Sequence, residues 1–89
     1  MGYTVTIHTT EHTPEGIPIV RSHTITGKVT EGGSPVAGAE IVIIEPDVND
    51  EGSGQTDANG EFRVQIHEDT MHHVYVNGID SQLVKVITR

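Results

Sequence analysis

Oxygen-bearing side chains are concentrated in one interval of this chain, and their spacing resembles the start of a calcium-binding loop. Asp47, Asn49 and Glu51 occupy alternate positions. Such a series opens the known calcium loops, which also need a bidentate carboxylate at the twelfth position. That position, counted from Asp47, is Ala58, and Asp57 lies one residue early. The pattern therefore favours a solvated hydrophilic loop, and a looser calcium site that uses Asp47, Asp50 and Asp57 across the loop is the alternative.

The six histidines are the second set of possible ligands. His72 and His73 are adjacent, and neighbouring strand residues point to opposite faces, so the two rings cannot both bind one ion. His67 and His72 flank one turn and could approach each other. A zinc site needs three or four converging ligands, which this spacing does not supply. We therefore predict structural or surface histidines and no metal or cofactor. A pH-sensitive oligomer interface built on their titration is a further hypothesis.

Serine and cysteine chemistry is not favoured by the sequence. Neither Ser22, next to His23, nor Ser81 lies in a nucleophile motif. The chain has no cysteine, which excludes thiolate chemistry. We predict no catalytic residue and a protein that is not an enzyme, with a small hydrolase as the remote alternative.

The charge distribution limits the partners. The net charge is -8, and no Lys or Arg occurs between Lys28 and Arg63. Nucleic acids and anionic membrane surfaces attract basic proteins, so both are disfavoured as partners. No segment approaches the roughly 20 apolar residues of a membrane-spanning helix. The acidic interval either keeps copies of the chain apart or attracts a basic partner surface.

Apolar and polar residues alternate along much of the chain, which predicts that β-strands position the acidic, histidine and serine side chains discussed above. Ile25, Gly27 and Val29 share one face of a strand, as do Phe62 and Val64 in a later one. Four consecutive apolar residues at 41–44 predict a strand that is buried on both faces. Residues 46–54 are predicted as a loop. About seven strands, separated by turn signals, are typical of a β-sandwich.

The order of these pieces resembles a known family. The strand at 25–29, the Pro35-containing loop, the strand at 40–45 and the Asp57-x-Asn59-Gly60 turn before Phe62 are similar to the carboxypeptidase regulatory-like, or transthyretin-like (prealbumin-like), β-sandwiches. The resemblance covers roughly residues 23 to 88.

The resemblance implies an all-β, Ig-like or prealbumin-like sandwich of about seven antiparallel strands over residues 23–89. It implies little about activity, because this architecture hosts many functions. One branch of the superfamily hydrolyses 5-hydroxyisourate and ends in Tyr-Arg-Gly-Ser. This chain ends in Val-Ile-Thr-Arg, so that activity is not expected here.

Residues 1–22 exceed what the resemblance needs. Tyr3, Val5 and Ile7 share one face of an alternating segment, and Ile17 and Ile19 flank a proline. The segment is either an extra strand that completes the sandwich or an arm that pairs with a neighbouring subunit. We predict these five residues as interface candidates.

A sandwich without a reactive centre, together with such a segment, predicts an assembly component. The first expectation is a non-enzymatic structural module, most plausibly a decoration or accessory protein that docks on a viral capsid or tail and resides at the virion surface. Its partner would be protein, either a larger assembly or further copies of the chain. Neither nucleic acid nor membrane insertion is expected. The alternative is an extracellular binding or spacer domain of a cell-surface protein that contacts sugar or a cation.

Overall fold

The computed structural model of the protein describes residues 2–8, 10–11 and 18–87, and within them the chain forms two β-sheets and no α-helix. No helix in the described ranges is long and apolar enough to cross a membrane. The strands are β1 (Thr4–Ile7), β2 (Thr10–Glu11), β3 (Ile19–Val20), β4 (Thr24–Glu31), β5 (Ser34–Pro35), β6 (Glu40–Glu45), β7 (Asp50–Gln55), β8 (Glu61–Gln65), β9 (Met71–Val76) and β10 (Ile79–Val86).

The first sheet, sheet A, is centred on β4. Strand β1 pairs with one edge of β4, and β8 and β5 follow one another along the other edge. Sheet B has the order β2-β3-β10-β9-β6-β7, and only its β3–β10 pair is parallel. Seven of the ten described strands have four or more residues, which agrees with the number predicted from the sequence.

Aliphatic side chains from both sheets form the core. The alternation along β4 and β8 is confirmed, because Ile25, Val29 and Val64 are buried while their neighbours face outward. Gly27 is required within β4: a Cβ there would lie 2.8 Å from the Phe62 ring. The small residue therefore makes room for the only phenylalanine of the chain.

The prediction that β6 is buried on both faces is wrong. Ile41 and Ile43 are fully buried between the sheets, whereas Val42 and Ile44 are only half-buried on the outer side of sheet B. Alternate residues of this apolar run therefore pack in the core and lie on the outer side of sheet B.

The predicted loop at 46–54 is also wrong, because half of it is strand β7. A single 3-10 turn at Pro46–Val48 and Asn49 in the left-handed conformation (φ 55) reverse the chain, and β7 then pairs with the whole of β6. A Cβ on Gly52 would collide with the Gln65 carbonyl oxygen. The glycine lets β7 approach β8, so that the two sheets meet closely along this side.

The N-terminal strands belong to both sheets. Strand β1 pairs with β4 of the same chain over four residues. Strand β3 lies between β2 and β10. This is the arrangement expected of an extra strand that completes a sandwich.

Candidate functional site

A buried carboxylate at the start of β7 is the most densely bonded polar group of the described residues. The Asp50 side chain points between the sheets and is 5% exposed. Its Oδ2 accepts the backbone N–H of His67 at 2.9 Å and that of Glu68 at 2.9 Å. Asp50 therefore ties the β8–β9 connection to the edge of sheet B.

The ring of His72 completes this cluster from β9. The side chain is fully buried, its Nε2 lies 2.9 Å from Asp50 Oδ2, and its Nδ1 lies 3.1 Å from the Thr70 carbonyl oxygen. Each ring nitrogen therefore lies within hydrogen-bonding distance of an oxygen atom. The geometry is that of a buried histidine–carboxylate pair.

The surroundings of Asp50 favour its charged form. Burial raises the pKa of Asp50, but the backbone N–H groups of His67 and Glu68, and then the rings of His72 and His67, together hold it well below the ordinary value of 3.8. A carboxylate held so firmly in its ionised form is a poor proton acceptor near neutral pH. The cluster is therefore better suited to fastening the fold than to acid–base chemistry.

The expected approach of His67 and His72 is confirmed, because both rings contact the same carboxylate. His67 Nδ1 lies 3.3 Å from Asp50 Oδ1, and the His67 side chain is 81% exposed. His73 points to the opposite, outer side of β9 and contacts Asp80 Oδ2 at 3.0 Å. Within the described part of the chain, no group of three or more acidic or histidine side chains is arranged to hold a metal ion.

The four residues of the candidate calcium site do not converge. Asp47 lies in the 3-10 turn, Asn49 ends that turn, and Glu51 lies on the outer side of sheet B. Asp57 follows the opposite end of β7, which at six residues places it roughly 20 Å away. The candidate calcium site required these residues to lie in one loop, and strand β7 separates Asp57 from the others.

Asp57 instead organises its own turn, as predicted. Its Oδ1 accepts the backbone N–H of Asn59 at 2.9 Å and that of Glu61 at 3.0 Å. Gly60 adopts the left-handed conformation, with φ 77. The Asp-x-Asn-Gly pattern therefore serves the chain reversal into β8.

The interface candidates fall in different environments. Val5 and Ile7 are buried core residues, with 6% and 7% exposure, so their side chains have little free surface for contact with a partner. Tyr3 is half-buried, and its hydroxyl accepts a hydrogen bond from the Asn77 side chain at 3.0 Å. Ile19 is half-buried in β3, and Ile17 lies outside the described residues.

The outer side of sheet B carries a group of half-buried apolar side chains, interrupted by His73 and Lys85, that sequence reasoning missed. Cross-strand pairs place Val42 beside Tyr75, Ile44 beside His73, and His73 beside Leu83. We call the half-buried apolar residues of this surface the sheet B face: Ile19, Val42, Ile44, Met71, Tyr75 and Leu83. The sequence feature that could have predicted this face is the unbroken apolar run of β6.

The outer side of sheet A has the opposite character. It presents threonines along β1 and β4, together with Lys28 and the exposed Glu61, Arg63 and Gln65 of β8. A groove of about 470 Å³ lies on this side, and its polar lining includes His8, Thr26, Gln55, Asp57 and Arg63. The outer side of sheet A is thus polar, whereas the outer side of sheet B also carries apolar side chains.

The protein is therefore all-β, with two packed sheets, a buried pair formed by Asp50 and His72, and apolar side chains on one outer face. Comparison of the chain with family models, with curated proteins and with solved structures gave no match.

Proposed function

We propose that this chain is a non-enzymatic docking module of a larger protein assembly, built on an Ig-like or prealbumin-like sandwich, with a virion surface as its setting. The observation that carries the proposal is the sheet B face. Half-buried Val42 and Ile44 share the outer side of β6, Val42 is paired with Tyr75, and Leu83 lies one strand further on, beyond His73. Apolar surface of this kind marks sites of protein–protein contact.

The buried cluster supports the non-enzymatic part of the proposal. Asp50 and His72 bond to each other, and their remaining partners are the His67 ring and backbone groups of the same chain. The His72 side chain has no exposed surface. A substrate would have to displace these bonds before it reached either group.

The test is to isolate the untagged protein from its native source and sediment it through a density gradient. We expect the chain to travel with a larger particle in a fixed ratio to its major protein. Sedimentation as a free species of 9.6 kDa, at every ionic strength tried, would contradict the docking function.

The second candidate is an extracellular binding or spacer domain that contacts sugar or a cation. The polar groove of sheet A favours it, because threonine and amide side chains such as Thr26 and Gln55 suit hydroxyl-rich ligands. Saturation-transfer NMR with neutral and acidic oligosaccharides would show contact at the groove if this candidate holds. Absence of transfer from every sugar would leave it without support.

A further inference from the structure

The sheet B face is small for a complete interface. Four neighbouring strands about 4.8 Å apart, with three rows of outward side chains, cover roughly 300 Å². A standard stable interface buries about 800 Å² on each partner. The apolar residues can therefore form only the centre of a contact, and the surrounding side chains must contribute the rest.

Those surrounding side chains are mainly acidic. Glu40 and Glu51 lie beside the apolar residues of β6, and Asp80 lies opposite Tyr75. All three are exposed, and the His73 ring contacts Asp80. Lys85, between Met71 and Ile19, is the only Lys or Arg of the described strands on this side. The part of the face around Val42 and Ile44 thus has a negatively charged rim.

A second copy of the chain fits this face poorly. A symmetric dimer would bring the same acidic rim against itself, and each copy carries a net charge of -8. The apolar area is also too small to offset that repulsion. The rim instead complements a surface of opposite charge.

We infer that the sheet B face binds a different protein, one that presents an aliphatic patch ringed by lysine or arginine. This inference rests on the proposed docking function and specifies its partner. Aliphatic contact with Val42 and Ile44 provides the short-range attraction, and the rim provides orientation and faster association at low salt.

The test uses two synthetic amphipathic peptides as probes, identical in their leucine face and bearing either lysine or glutamate on the polar face. Methyl NMR of the full chain follows each titration. We expect the lysine peptide to shift the methyl signals of Val42, Ile44 and Leu83, with an affinity that falls as salt is added. Equal binding of the glutamate peptide, shifts on the outer side of sheet A, or no binding of the lysine peptide would overturn the inference.

Two pairs of variants make the test specific. Glu51→Lys on the rim is expected to weaken binding of the lysine peptide by about five-fold, whereas Glu31→Lys, the same charge change at the end of β4, should leave it unchanged. Val42→Thr keeps the side-chain shape and should also weaken binding, and Thr30→Val on sheet A should not. Thermal unfolding of each variant verifies that the fold is retained.

The outcomes separate this inference from the docking function. If the native chain travels with a particle and Glu51→Lys binds that particle as well as the Glu31→Lys variant does, the partner chemistry is wrong and docking stands. If the native chain travels alone, the docking function fails. Concentration-dependent dimerisation through the sheet B face would show that this face binds a second copy of the chain, and that result would overturn the inference.

Discussion

Two aspartates near opposite ends of β7 perform the same local task in different surroundings. Asp50 accepts the backbone N–H groups of His67 and Glu68, and Asp57 accepts those of Asn59 and Glu61. Asp50 is 5% exposed and also faces the fully buried His72 ring. Asp57 is exposed, and its partners lie within four residues.

The difference teaches that burial, and not the number of hydrogen bonds, sets the value of each carboxylate to the fold. At an exposed site, water replaces a lost acceptor, and the net contribution of a hydrogen bond is about 1 kcal/mol. At a buried site, a lost carboxylate leaves charged and polar donors without a partner, which costs about 3–5 kcal/mol. The β8–β9 connection should therefore depend on Asp50 far more than the 57–61 turn depends on Asp57.

Asp50→Asn is the change with the largest expected effect. It preserves shape but removes the charge opposite His72, and the new amide N–H group lacks a buried acceptor. We expect the free energy of unfolding to fall by about 3–5 kcal/mol, measured by urea denaturation at pH 7. The matched variant Asp57→Asn should lose less than about 1 kcal/mol. Equal losses would show that burial does not distinguish the two sites.

His72→Gln tests the histidine of the same cluster. Glutamine can still donate to Asp50, but it does not reproduce the buried ring that also contacts the Thr70 carbonyl oxygen, so we expect a loss of about 2–3 kcal/mol. The double variant with Asp50→Asn gives the coupling between the two side chains, which should exceed about 1 kcal/mol. Strict additivity would contradict direct pairing of the two side chains.

The contrast between these aspartates also explains what the sequence could predict. The Asp57 turn is local: an Asx side chain, an asparagine and a glycine within four residues specify it. The partners of Asp50 lie 17 to 22 residues away along the chain, and no spacing rule connects them. Only the pairing of β7 with β6 and the crossing of β8 bring them together.

Strand β7 was missed for a related reason. Its residues, from Asp50 to Gln55, include two glycines and two acids, which are depleted in strands. Tertiary contact overrides this propensity, because Gly52 is needed where β7 crosses Gln65. The sheet B face was missed because an apolar run does not reveal whether a second layer covers it.

The response to acid should report on Asp50. The pKa of Asp50 is lowered below its ordinary value of 3.8, so its contribution to stability is complete above that pH and is lost as the pH falls below it. One such group gives a slope of at most about 1.4 kcal/mol per pH unit. Between pH 5 and pH 2.5, unfolding free energies of Asp50→Asn should fall less steeply than those of the unmodified protein. An Asp50→Asn slope as steep as that of the unmodified protein would assign the acid sensitivity to another group.

Asp57→Ala is expected to have a small effect, about 1 kcal/mol, because solvent replaces the lost acceptor at Asn59 and Glu61. Within the same turn, Gly60→Ala should cost more, about 2 kcal/mol, since φ is +77 and the new Cβ would lie 2.6 Å from the Val29 carbonyl oxygen. Urea denaturation of both variants shows which of them loses more free energy of unfolding. If Asp57→Ala proved the costlier change, the exposed carboxylate would carry the turn by itself, and the contrast with Asp50 would have to rest on something other than access to water.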